Sequence, residues 1–382
     1  MLKILMLLLA LPGFVMADEN IKTIWSSNLD NQFRMTGDAA VAVCDGNIYC
    51  GNGEINLMTG KVIRHFASEY FGNDIKQIKF SAGAVIFASQ STGNEEESDC
   101  SYEYCWNAFD MKTGKLLWET TQASADCRNW APVLLETCGD IALLAKGKNH
   151  DELNAVDARS GKILWQLKFG SIVNLAVSGN GVFLRAGKYV MALSAVNGKI
   201  LWKTALPDST LQLMELGKSQ VYISGKSDED SYLISINQQT GKTIWKKDFP
   251  KGDLFQPVEL KGTLFFISQP EKDFMPGFLL ALDAESGRET WRIQAVADFN
   301  GWDFQPKIFK DKLIMWSGDA KYLENSGSSG DVKLFCIDPA DGKKKWDYLP
   351  AKTLQYSLLV CGDYIIIKDN DAMRCLHTGD VK

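Results

Sequence analysis

The side chains best suited to covalent or metal chemistry are few: three histidines and nine cysteines in 382 residues. General acid–base work would draw on His65, His150 or His377, yet none stands beside a nucleophile motif, and no GxSxG elbow occurs. His150 lies in the polar run Lys148 to Glu152 and His377 near the C-terminus, where surface histidines are the ordinary reading. There is no CxxC pair, no CxxCH haem attachment and no HExxH zinc motif. Acidic clusters at Glu95 to Asp99, Asp228 to Asp230 and Asp369 to Asp371 offer hard oxygen ligands. None has the spacing of a twelve-residue calcium loop, so they read as solvated hairpin tips and any metal stays unknown.

Non-covalent recognition has better material. Carboxamides recur just ahead of predicted strands at Gln77, Asn174, Gln212, Gln256, Gln305 and Gln355. Aromatic groups gather beside them, Trp130 ahead of Pro132, Phe255 ahead of Pro257, and Trp302 with Phe304 ahead of Pro306. Two readings stand for each set. The amides either present a polar ring to a ligand or peptide backbone, or satisfy exposed backbone groups at strand ends. The aromatics either anchor a partner on a rim or pack beneath their own loops.

The elements that carry these groups come from a repeat. Ala108 to Trp118 reads AFDMKTGKLLW, Ala155 to Trp165 reads AVDARSGKILW, and Ala192 to Trp202 reads ALSAVNGKILW. Ser235 to Trp245, Ala281 to Trp291 and Cys336 to Trp346 keep the frame. Degenerate copies bring Gly60 with Arg64 in the Trp place, and Gly379 near the end, so the marker glycines are 60, 114, 161, 198, 241, 287, 342 and 379. In each phrase the Asp side chain can accept turn amides, Gly takes a positive φ, and Trp lies on the next strand, needing one acceptor for its N–H. Alternating apolar runs such as Val221 to Ser224 precede each phrase and argue strands, and long helix-period segments are absent.

About four strands per unit and eight units predict an all-β, eight-bladed β-propeller of four-stranded antiparallel blades. The last unit lacks room for a fourth strand, and Ile21 to Leu29, with Trp25, matches the missing one. The N-terminal strand is thus expected to join the C-terminal blade and close the ring. In such a ring the strand starts, with their amides, surround a central channel.

Residues 1–17 read as a signal peptide: Lys3, an apolar run from Ile4 to Leu11, then Val15-Met16-Ala17 before Asp18. Cleavage after Ala17 would leave residues 18–382 as a single exported domain, periplasmic or secreted, with a formal charge of −7. The acidic balance does not invite nucleic acid or an anionic membrane. No later apolar run is long enough to span a bilayer. Export permits disulfides, and the local candidates are Cys100 with Cys105, Cys127 with Cys138, and Cys44 with Cys50, the alternative being small buried thiols.

The phrase Ala-x-Asp-x-x-Thr-Gly-Lys-x-x-Trp resembles the pyrroloquinoline-quinone-like β-propeller repeat, over residues 21–382. That superfamily holds quinoprotein alcohol dehydrogenases and non-enzymatic propellers, including the lipoprotein scaffold of the outer-membrane β-barrel assembly machinery. The resemblance implies the fold and leaves function open. The dehydrogenases carry a vicinal Cys-Cys pair and longer loops, and this chain has no adjacent cysteines; the scaffold is closer in size, but its lipobox Cys is missing here. The reading is an exported, single-domain, non-enzymatic propeller, expected to act as a monomer, that binds a protein or cell-envelope component. The alternative is an oxidoreductase using pyrroloquinoline quinone with calcium.

Overall fold

The computed structural model describes residues 21–28, 40–67, 71, 74–92, 102–124, 134–147, 150–207, 212–227, 230–270, 277–294, 306–318, 332–348, 357–368 and 372–378. All of them are strand, turn or extended chain, arranged as eight antiparallel sheets. The inner strands of blades one to four are Val41–Cys44, Asp74–Ser81, Leu135–Cys138 and Ile172–Ser178. Those of blades five, seven and eight are Gln212–Leu216, Lys307–Phe309 and Ser357–Cys361. In the sixth blade the inner strand is split into Gly252–Leu254 and Val258–Leu260, because Pro257 supplies no N–H to the ladder. The eighth blade is completed by Ile21–Asn28, which pairs with Ala372–Thr378 and sets Trp25 opposite Cys375. Closure by the N-terminal strand is therefore observed.

Each blade packs its apolar faces on its two neighbours, giving eight hydrophobic clusters for eight seams. At the outer end of each seam the repeated phrase does its work. Asp110 Oδ1 accepts the N–H groups of Lys112 and Thr113, and Asp157 and Asp283 cap their turns in the same way. Trp118 Nε1 donates to Ala158 O of the next blade at 2.8 Å, and Trp25, Trp165, Trp202, Trp245 and Trp291 make the same bond one seam further on. The indoles are half-buried, lying on the marker glycines: a Cβ on Gly241 would stand 2.6 Å from Trp202, at a φ of +67°. Those glycines thus serve both the turn and the neighbouring indole.

Two departures from the repeat are resolved by register. Arg64, in the Trp place of blade one, donates from Nη1 to Lys112 O at 3.2 Å and from Nε reaches Glu54, 2.7 Å away. A guanidinium thus replaces the indole bond to blade two. In the eighth blade Trp25 faces Cys375 as Trp118 faces Ala108, so the position matching Gly114 is Val381. Gly379 is not the eighth marker, and His377 stands where the turn Asp would be.

The cysteine expectations are corrected in part. Cys44 pairs with Asn47 and Cys50 with Val41, which sets the two roughly 10 Å apart along the strands, beyond disulfide reach. Cys44 and Cys138 carry free thiols, and Cys138 Sγ donates to Gly179 O at 3.1 Å. Burial pushes the Cys50 thiol up to about 12, the behaviour of a small apolar side chain. Cys105 is buried within Tyr102–Asp110; Cys100 and Cys127 lie outside the described residues.

Candidate binding site around the propeller axis

Neighbouring inner strands touch one another around the axis, so their polar side chains meet across the seams. In blades two and four the inner strand carries a bulge just before the amide, between Ile75 and Gln77 and between Ile172 and Asn174; in blade six Gln256 falls in the break between the two short strands. These irregularities re-aim the amides. Gln77 Oε1 accepts the N–H of Leu135 in blade three at 2.6 Å. Gln256 Nε2 donates to Glu215 of blade five. Asn174 Oδ1 accepts from Arg185 Nε within its own blade at 3.2 Å. The three amides with described side chains are thus engaged inside the protein. Gln212 begins its strand, with its side chain outside the described set, and Trp130, Trp302, Gln305 and Gln355 lie outside the described residues. Phe255 packs against the cluster between blades six and seven, the reading of an aromatic beneath its own loop.

Charged groups that no linear motif announces share these strands. Lys79 of blade two bonds both oxygens of Glu136 of blade three, at 2.8 and 2.9 Å. Burial holds the Glu215 carboxyl above its ordinary range and the charge of Glu136 adds to this, against the opposing pull of Gln256 and Lys307. The signal was positional: these residues fall on inner strands, at sites where other blades carry apolar groups such as Val258 and Leu359.

A second polar region lies in the seam between blades two and three. His150, expected at the surface, is 1% exposed and packs edge-on against Tyr104 at 5.2 Å between ring centroids. Neither of its ring nitrogens has a hydrogen-bond partner among the described residues, nor does Trp106 Nε1 or Asn154 Oδ1. Burial lowers the pKa of His150, against the charge of Asp151. Lys146 Nζ, also lowered by burial, donates to Thr120 Oγ1 at 2.7 Å and lies 5.4 Å from the Trp106 ring centroid. Among the described residues no three His, Cys, Asp or Glu side chains gather as a metal site.

Eight four-stranded blades, indole-to-carbonyl seams and a ring closed by the N-terminal strand define a propeller of the pyrroloquinoline-quinone type. The chain belongs to the PQQ_2 family, described as "Outer membrane protein assembly factor BamB", whose model matches residues 149–258 and 229–373. It is similar to the outer membrane protein assembly factor BamB of Escherichia coli strain K12, 30% identical over 172 residues, 41% of each chain. It is also similar to the quinohemoprotein alcohol dehydrogenase ADH IIB of Pseudomonas putida, 22% identical over 209 residues, 49% of this chain and 30% of that one. These matches span less than half the length of either relative. In three dimensions it resembles BamB from Moraxella catarrhalis with a TM-score of 0.61 at 13% identity, over 94% of this chain and 99% of that one, a likeness of fold.

Proposed function

We propose that this chain is an exported, non-catalytic propeller that holds a protein or other cell-envelope component, acting as a scaffold in the periplasm or outside the cell. The observation that carries this reading is the use made of the inner-strand polar groups. Gln77, Gln256, Lys79 and Glu136 join blade to blade, so the interior is spent on rigidity and recognition falls to the faces and rim. The description of its family as an assembly factor supports the same reading.

Partial similarity to quinohemoprotein dehydrogenases supports the alternative. A quinone bearing three carboxylates, with calcium beside it, asks for uncommitted cations and carboxylates close together. The described axial residues do not fit that group: Glu136 is held by Lys79 and Glu215 by Gln256. The test uses purified residues 18–382 carrying a photo-crosslinking side chain at position 130 or 302, irradiated in an envelope extract. A discrete adduct from these positions and none from position 344 is the expected result. Incubation with pyrroloquinoline quinone and calcium, desalting and dye-linked alcohol oxidation give the opposing arm: a retained chromophore with turnover would replace the scaffold by an enzyme.

A further inference from the structure

Of the three histidines, His65 is exposed and His377 half-buried, while His150 is closed inside the seam between blades two and three. Its backbone is the unusual one as well. His150 has a φ of +51°, in the left-handed region that a residue with a Cβ enters at a cost. It sits between the strands Ile141–Lys146 and Glu152–Asp157 of blade three, and the chain there is tied down through its main chain. Gly147 N–H donates to Gln122 Oε1 of blade two at 2.8 Å, and His150 N–H to Gly147 O at 3.1 Å. His150 O accepts the N–H of Ile172 in blade four at 2.9 Å, and Asp151 O that of Phe169 at 2.7 Å. These bonds press the imidazole onto Tyr104, yet none of them involves the ring.

The titratable groups on the surrounding elements do not offer the ring an acceptor. Asp151, its neighbour in the chain, is spent elsewhere: its Oδ1 fills the space where a side chain on Gly147 would begin. Glu152 Oε1 accepts from Asn154 Nδ2 at 3.0 Å. Lys146, opposite Glu152 on the next strand, brings an ammonium group into the same seam, 5.4 Å from the Trp106 ring centroid. Lys168, opposite Glu152 on the outer strand, is exposed, and blade two contributes the phenol of Tyr104. The chain from Phe169 to Ile172, bonded to the same turn, carries no titratable group.

We propose that His150 is an acid-operated catch on this seam: on taking up a proton its ring leaves the slot, the strained backbone relaxes, and the faces of Tyr104 and Trp106 are bared. A charged imidazole without an acceptor is costly to keep in an apolar slot, and release returns His150 to an ordinary φ. The blade ladders stay intact, since His150 lies beyond the ends of both flanking strands. The opened edge presents Trp106 Nε1 and Asn154 Oδ1, neither of which has a partner among the described residues, beside two aromatic faces. Burial holds the ring's pKa below the value of about 6.5 of a free imidazole. Between those two values each unit of acidification therefore raises the ratio of open to closed molecules about tenfold. The inference rests on this seam alone and does not depend on the scaffold reading.

The test is hydroxyl-radical footprinting of residues 18–382 in steps from about pH 8 to about pH 5, the range in which imidazole changes charge, with oxidation mapped by mass spectrometry. Oxidation of Tyr104 and Trp106 should climb as the pH falls, while Tyr222 and Phe265, buried in other seams, stay protected. His150→Phe, which fills the slot without a proton site, should hold Tyr104 and Trp106 protected throughout. A second measurement does not need that variant to fold. With His65→Gln and His377→Gln only one imidazole remains, and its proton resonance should titrate with the same midpoint as Tyr104 oxidation. Constant protection down to pH 5 overturns the proposal. So does a rise shared by Tyr222 and Phe265, which is loosening of the whole ring, a rise that survives His150→Phe, or a midpoint apart from that of the imidazole.

Discussion

An imidazole shut away from water, with neither nitrogen paired among the described residues, is held neutral, and that makes His150 a term in the pH dependence of stability. Its folded pKa lies below the ordinary value of about 6.5, so within that window the unfolded chain binds the extra proton. The contribution is therefore complete above about pH 6.5 and is lost as the pH falls toward the folded pKa, with a slope approaching about 1.4 kcal/mol per pH unit. Urea unfolding between pH 8 and pH 5 should show this decline, and His150→Phe should flatten it; an unchanged slope would place the proton elsewhere. Nothing in the run Lys148 to Glu152 foretells this burial, because Tyr104 and Trp106 come from another blade. The amides are a milder case. Their recurrence was legible, but whether Gln77 faces a ligand or the backbone of Leu135 depends on a bulge no spacing reveals.

The seam between blades is the element on which the repeat acts. Its parts were visible as Asp, Gly and Trp, while the partnership of six of the indoles, Trp25, Trp118, Trp165, Trp202, Trp245 and Trp291, with the glycine of the next blade is a fact of three dimensions. Substitution separates the two duties of that glycine. Gly46 has a φ of +74° and open space around it, so Gly46→Ala should cost about 1 kcal/mol for the left-handed backbone alone. Gly241→Ala adds a collision with Trp202 and should cost about 3 kcal/mol. Equal losses in urea unfolding would show that the indole moves aside freely. The misplaced eighth marker has the same root: Thr378-Gly379 copies the phrase, but only the pairing of Trp25 with Cys375 fixes the frame. Arg64 looked like decay of the motif, yet its guanidinium reaches the same turn of the next blade that an indole would.

At the scale of the whole ring, the fold was the most legible property, because eight similar units leave few ways to bury eight similar faces. What holds the circle shut is one strand, Ile21–Asn28, whose Trp25 donates to Leu57 O of blade one at 2.7 Å. Removing residues 18–28 should lower the thermal midpoint by more than about 10 °C and expose Ala372–Thr378 as a free edge, seen as concentration-dependent association. A monomer with an unchanged midpoint would deny the strand its closing role. That strand also couples the fold to the order of synthesis. A strand that is made before every blade must wait unpaired until the last blade has been made, since its partner is Ala372–Thr378. Such a long-range pairing is slow to find, and until it forms the seam between the eighth and first blades, to which Ile24 and Trp25 contribute, stands open, so the nascent chain is at its most vulnerable to proteases and to its own kind in the interval before that strand pairs.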